Sequence, residues 1–379
     1  MPVVWFLSLL LHAYVGLRIV PALADWPLAA AGLALALAAS AALLPIGLRT
    51  LRRRTGPRDV AAHWAGMTAL GAISSLVVLT LLRDAGLLLA TLADVLRPGA
   101  IGVDAIARAT AVAVPVLGAT VTAWGFAKAR RTARVVDGEV PGAGLPPALQ
   151  GFTIAQISDV HVGPTIGRDD VASIVAAVNR LDADLVAITG DLVDGPVREL
   201  APHVEPLRGL RSRHGTFFVT GNHEYYSGAP AWVAALRALG MRVLLNEHAV
   251  LREGGASLVI AGVTDWSAGH FDRDQRSDPA RAIAGAPHDA ARRVLLAHQP
   301  RSATDAADAG FDLQLSGHTH GGQFLPWTWF VRLQQPFTAG MHRLGRLRVY
   351  VSRGTGYWGP PKRFGAPSEI TRLRLVAGG

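Results

Sequence analysis

Five polar clusters in the C-terminal half hold the residue types that could do chemistry: Asp159-Val160-His161, Gly190-Asp191-Leu192-Val193-Asp194, Gly221-Asn222-His223-Glu224, a lone His298, and Gly317-His318-Thr319-His320. Each supplies Asp, Asn or His directly after an apolar, strand-like run. Imidazole, amide and carboxylate donors without thiolate suit Mn, Fe or Zn. Donors enough for two adjacent divalent ions, about 3.5–4 Å apart, would form a clamp for in-line attack on phosphorus. Asp-x-His and His-x-His put two side chains on the same side of an extended segment, because side chains alternate along it. Glycine immediately before Asp191, Asn222 and His318 permits a tight turn, or close passage of the backbone past a metal or phosphate.

The elements that must position these clusters are strands and helices in alternation. Strand-like runs lie at Phe152–Ser158, Leu185–Thr189, Thr216–Thr220, Leu258–Val263, Val294–Ala297, Leu313–Ser316 and Leu347–Ser352, with helical patterns at Asp169–Arg180 and Ala231–Leu239. That alternation predicts an α/β domain of layered sheets flanked by helices. Side chains just past the carboxyl ends of such strands can meet in one cleft although they lie 160 positions apart. The domain spans 152–379, large enough for its own core. Residues 135–151, rich in Gly and Pro from Asp137 to Gly151, read as a linker.

Residues 1–134 are different. Leu28 to Leu48 is uncharged for 21 residues, Val60 to Leu82 for 23 and Ala109 to Ala127 for 19, each long enough to span about 30 Å of hydrocarbon as a helix. Pro2 to Leu17 extends to Ala24 if Arg18 snorkels. The reading is four transmembrane helices at approximately 2–24, 28–48, 60–82 and 103–127. A soluble helical domain would show polar stripes, which these lack. A signal peptide would begin with a basic region, which Met-Pro-Val-Val-Trp does not supply. Arg49, Arg52, Arg53, Arg54 and Arg58 follow the second span, and Lys128, Arg130, Arg131 and Arg134 follow the fourth. The other connections carry Arg83 and Arg97, with Arg18 at the edge of span one. This bias predicts a multi-pass protein of the cell inner membrane with its C-terminal domain in the cytoplasm. Residues 85–96 read as a short interfacial helix or a continuation of span three; an independent crossing would move the catalytic domain outside. The net charge of +9 and the absence of cysteine name no compartment. Much of the positive charge is juxtamembrane, where anionic lipid is the simpler partner, and no nucleic-acid-binding signature is present.

The five clusters, in this order, resemble the calcineurin-like metallophosphoesterase superfamily. Gly-His-Thr-His-Gly-Gly-Gln at 317–323 and Ser-Arg-Gly-Thr-Gly-Tyr-Trp-Gly-Pro-Pro-Lys-Arg-Phe-Gly-Ala-Pro-Ser-Glu-Ile at 352–370 are similar to its membrane-associated branch, related to bacterial YkuE and YaeI. The resemblance implies a four-layer αββα sandwich, here preceded by an all-α bundle of four transmembrane helices. It implies that Asp159, His161 and His320 hold one divalent ion, that Asn222, His298 and His318 hold a second, and that Asp191 bridges them. A metal-activated hydroxide would then attack phosphorus. His223 would sit over the phosphoryl group and protonate the leaving oxygen, with Asp194 orienting it. The implied activity is hydrolysis of a phosphate monoester, diester or pyrophosphate, and membrane anchoring favours a lipid or lipid-linked substrate. A catalytically weak metal- and ligand-binding signalling module is the alternative, and a small transporter with an accessory enzyme is disfavoured by spans poor in internal charge. No protein partner is deducible. Glu224 reads as a loop-stabilising group, Asp265 as a residue of the cleft rim, and Arg353 and Arg363 as phosphate contacts or surface pairs. Phe324 to Phe330 either caps the core or forms an interfacial loop.

Overall fold

The computed structural model describes residues 1–50 and 56–378. It contains two compact units: Met1–Arg130 together with Gly359–Lys362, and Arg131–Trp358 together with the chain from Arg363.

The first unit holds α1 (Pro2–Ile19), α2 (Pro27–Thr50), α3 (Pro57–Leu96) and α4 (Val103–Ala129). All four are long and apolar enough to cross a membrane. Val15, Ile19, Leu37, Leu44, Ile73 and Val114 pack inside. Leu17, Leu28, Leu35 and Val116 lie on the outside, exposed. A water-soluble bundle would turn polar residues outward, so this apolar exterior matches lipid as solvent. α3 runs for 40 residues without a break, so 85–96 continues span three and is no separate crossing. The charged pair inside α3 does not end the helix because neighbouring helices satisfy it. Asp84 accepts hydrogen bonds from Tyr14 and Arg18 of α1, while Arg83 donates to Thr110 Oγ1 and the Ala107 carbonyl of α4. In the same unit the Lys362 ammonium donates to the Gly71 carbonyl at 2.9 Å and to Thr122 Oγ1 at 3.3 Å. Arg52, Arg53 and Arg54 of the basic connection lie outside the described residues.

The second unit is built on twelve strands: β1 (Arg134–Gly142), β2 (Thr153–Ile157), β3 (Leu185–Ile188), β4 (Thr216–Phe218), β5 (Arg242–Val243), β6 (Glu247–Glu253), β7 (Ala256–Gly262), β8 (Arg292–Leu296), β9 (Leu313–Ser316), β10 (Gly340–Leu344), β11 (Leu347–Val351) and β12 (Glu369–Ala377). They form two six-stranded mixed sheets, ordered β1-β12-β2-β3-β4-β5 and β10-β11-β9-β8-β7-β6. Alternate residues from the two inner faces interdigitate: Ile154, Leu185, Phe217 and Leu373 from one sheet meet Leu258, Ile260, Leu296 and Leu315 from the other. Helices including α5 (Arg168–Asn179), α6 (Val197–Val204), α7 (Asn222–Ser227) and α8 (Ala229–Ala238) accompany the first sheet. Ala282, Ala303 and Ala306, on short helices, pack on the outer face of the second. The layers are those of an αββα sandwich.

The linker at 135–151 is corrected in part. Residues 134–142 form β1, which pairs in parallel with β12 from Arg134↔Glu369 to Gly142↔Ala377. Pro141 is tolerated because β1 is the edge of its sheet, where a missing N–H costs no ladder bond on the open side.

Candidate metal centre

Each chemistry-bearing cluster occupies a loop that leaves the carboxyl end of a parallel strand. Asp159 and His161 follow β2, Asp191 and Asp194 follow β3, and Asn222 and His223 follow β4 at the start of α7. His298 follows β8, and His318 and His320 follow β9. Past the sheet, the first two loops stay joined: Asp159 N donates to the Gly190 carbonyl, His161 N to that of Asp191 and Val162 N to that of Leu192. Asp159, His161, Asp191, His318 and His320 all have left-handed φ, between 51° and 70°. Such angles cost a non-glycine residue about 1–3 kcal/mol, so surrounding contacts must fix them.

Those contacts can be named. Glu224 is fully buried, and its carboxylate accepts from the backbone N–H of Gly221 (2.6 Å), Leu192 (2.8 Å) and Asp191 (3.0 Å), locking two site loops together. Burial and the Asp191 charge push Glu224 up to about 8, while these N–H groups favour its ionised form. The loop-stabilising reading of Glu224 therefore has a geometry. The glycines act by close approach: a Cβ at Gly221 would overlap the Asp191 carboxylate, and one at Gly317 that of Asp159.

Among the described residues the expected ligands converge in two groups, and Asp194 and His223 form a third cluster with His161. Within Asp159, His161 and His320, the ligand atoms lie no more than 4.8 Å apart, as they do within Asp191, His298 and His318. His161 Nε2 faces His320 Nε2 at 3.1 Å, and His298 Nε2 faces His318 Nδ1 at 3.2 Å. Asp191 Oδ2 lies between the groups, 3.1 Å from His298 Nε2 and 3.8 Å from His161 Nε2. Asn222 Oδ1 is buried with no hydrogen-bond partner. Asp159 is fully buried, held by the His318 N–H at 2.9 Å. The inward-facing oxygens of Asp159, Asp191 and Asn222, gathered with imidazole nitrogens, fit divalent cations.

His223 stands beside the donors. Its Nδ1 lies 2.6 Å from Asp194 Oδ1, and its Nε2 lies 4.0 Å from Asp191 Oδ2. Burial opposes its charge, but Asp191 and the hydrogen bond to Asp194 raise it to about 9. The rings of Tyr226 and Trp358 stand edge-on to it, at 5.2 and 5.6 Å. Asp194 does more than the sequence suggests, since the same Oδ1 also lies 3.0 Å from His161 Nδ1. Burial would raise the Asp194 carboxyl, yet His161 and His223 hold it well below the usual carboxylate range.

Other expectations are corrected. Arg363 is buried and faces inward: Nη2 meets His320 Nδ1 at 2.9 Å and Nη1 donates to the Arg353 and His320 carbonyls. Arg353, by contrast, matches the ion-pair reading, meeting Glu369 at 2.8 Å. Asp265 is fully buried away from any rim, accepting from Gln299 Nε2, next to His298. Nothing local in the sequence marks these partnerships, because each joins residues from different loops.

Against known proteins, residues 152–322 match the calcineurin-like phosphoesterase family. A Danio rerio protein described as a transmembrane protein with metallophosphoesterase domain is 35% identical over 329 residues, covering 84% of this chain and 75% of that protein. A Bos taurus protein of the same description is 41% identical over 265 residues, 67% of this chain and 59% of its own length. The uncharacterized metallophosphoesterase YkuE of Bacillus subtilis is 31% identical over 240 residues, covering 61% of this chain and 81% of that protein.

Proposed function

The chain belongs to the calcineurin-like metallophosphoesterases and is a membrane-associated, metal-dependent hydrolase of phosphoric esters; we propose that it works at a two-metal centre on a lipid-borne phosphate ester or pyrophosphate. The observation that carries the two-metal reading is the pair of facing imidazole nitrogens in each group, with Asp191 between them. His161 Nδ1 and His298 Nδ1 are turned to Asp194 and to the Thr189 carbonyl, so their Nε2 atoms present lone pairs inward. The orphaned Asn222 Oδ1 is satisfied by the same assignment.

In this reading Asp159, His161 and His320 hold one ion, Asn222, His298 and His318 the other, and Asp191 both. When bound, Mn, Fe or Zn ions neutralise phosphoryl charge and make water a nucleophile near neutral pH. The chain's own residues do the rest. Asp194 engages His223 Nδ1, which leaves Nε2 to give its proton to the departing oxygen. The same carboxylate holds His161 in its ligating orientation.

Support for a lipid substrate comes from the four apolar helices on the same chain. The test is turnover by purified, metal-loaded protein of p-nitrophenyl phosphate, its bis-ester and lipid phosphates in vesicles. Hydrolysis of a lipid phosphate is expected. A folded, metal-loaded protein inactive on all three would return the domain to the signalling-module reading.

Charge supports one reading of sidedness. Nine Lys and Arg residues lie on or immediately beside the α2–α3 and α4–β1 connections, against Arg18 and Arg97 near the other helix ends and Arg83 and Arg108 inside α3 and α4. That asymmetry supports an inner-membrane protein with a cytoplasmic catalytic domain. The chain lacks cysteine, so a single Arg211→Cys reports cleanly. A membrane-impermeant maleimide should label it in inverted vesicles; labelling in intact spheroplasts would reverse the orientation.

A further inference from the structure

We infer that Leu325–Leu333 is a docking surface for the lipid bilayer, beside the mouth of the catalytic site. This goes beyond the choice of substrate, since docking holds or fails whatever is hydrolysed. After His320 the chain turns through Gly321, Gly322 and Gln323, all with positive φ, and runs along the surface. Phe324 is buried, but Leu325 (39%), Trp327 (48%), Trp329 (66%), Phe330 (52%) and Leu333 (83%) are exposed. Trp327, Trp329 and Phe330 therefore do not cap the core. Five large apolar side chains open to water within nine residues are unusual on a soluble surface and mark an interaction site. The exposed Arg332 adds a cation to this apolar strip. Trp, Phe and Leu with a basic residue are the composition of a segment lying at the headgroup–acyl boundary.

Two observations name the bilayer as occupant. The same chain carries four helices of membrane-spanning length with apolar side chains on their outside. The strip itself has the composition of a bilayer interface, with Trp and Phe beside an arginine. Gln323 clasps the Trp358 backbone from both sides, at 2.9 Å each, so the strip starts beside Trp358. Trp358 itself, half exposed, stands edge-on to His223. A phosphoester at a docked bilayer surface thus meets the proton donor while its acyl chains stay in lipid.

The test uses the full chain in vesicles of phosphatidylcholine and phosphatidylglycerol, with one spin-labelled cysteine at a time. Labels at Trp329→Cys and Leu333→Cys should collide more readily with oxygen than with an aqueous nickel chelate, and a label at the exposed Ala280→Cys should do the opposite. Accessibility at 329 and 333 equal to that at 280 overturns the inference. Shielding from both reagents also overturns it, by indicating a protein contact such as a second copy. In addition, Trp329→Ser with Leu333→Ser should lower kcat/KM on a vesicle-embedded lipid phosphate about tenfold and leave p-nitrophenyl phosphate unchanged; equal loss on both substrates counts against docking. If the wild type hydrolyses no lipid phosphate, the substrate reading fails and label depth alone decides docking.

Discussion

Asp191→Ala is expected to empty the centre of metal and to bring turnover down to that of chelator-stripped wild type. Among the described residues, Asp191 is the carboxylate that reaches both donor groups, 3.1 Å from His298 Nε2 and 3.8 Å from His161 Nε2. Without it, Asn222, His298 and His318 form an uncharged ligand set, and the other group keeps Asp159 alone as its anion. Metal-borne stabilisation of several kcal/mol is then lost, which corresponds to about 10³-fold or more in rate. Asp191 Oδ1 also accepts the His223 N–H at 2.9 Å, so alanine removes a loop contact as well as a charge. Asp191→Asn separates the two effects, since its amide oxygen can keep that contact while the charge is gone. Elemental analysis and turnover should show Asp191→Asn nearly as impaired as Asp191→Ala. Full metal content in both variants would refute the bridging role.

His223→Ala should do the reverse, keeping metal while losing about 10²- to 10⁴-fold in turnover, the usual range for a removed general acid. The side chain stands beside the donors, its Nε2 4.0 Å from Asp191 Oδ2, and is held by Asp194 and by the flanking Tyr226 and Trp358 rings. The loss should depend on the leaving group: large for an alkyl phosphate, whose oxygen needs a proton, and small for p-nitrophenyl phosphate, whose oxyanion departs without one. A loss independent of the leaving group would remove the acid role, and metal loss equal to that of Asp191→Ala would remove the division of labour. Asp194→Asn should fall between them, because its carboxylate serves a ligand, His161, and the proton donor, His223. Because Asp194 also serves a metal-ligand candidate, its presence does not distinguish an enzyme from a metal-binding module, and His223 carries that distinction.

The ligand types, their order and their place after strands were legible because each is local. A strand end, a glycine and one or two donors lie within about five residues of sequence, and strand ends in parallel sheets converge. The four apolar helices were legible for a similar reason: length and lack of charge are properties of one segment. Missed were β1, β5, β6, β10 and β12, most of them edge or short strands. Of these, β12 carried a usable signal in the alternation of Thr371, Leu373 and Leu375, all buried, with Arg372 and Arg374, which are less so.

What needed the tertiary structure was every partnership between distant segments. The polar pair Arg83-Asp84 looks like the end of a span, yet Tyr14, Arg18 and Thr110 satisfy it and α3 continues. The Gly- and Pro-bearing stretch at 134–142 looks like a linker until β12 supplies its hydrogen bonds. Arg363 looks like a phosphate contact but is enclosed by carbonyls and His320. The sequence by itself determined which side chains can bind metal and where lipid can surround the chain, since those follow from chemical type and local period. Which carboxylate orients which histidine, and whether Trp329 faces the core or the solvent, are decided by hydrogen bonds and packing between residues far apart in the chain, and only folding brings those together.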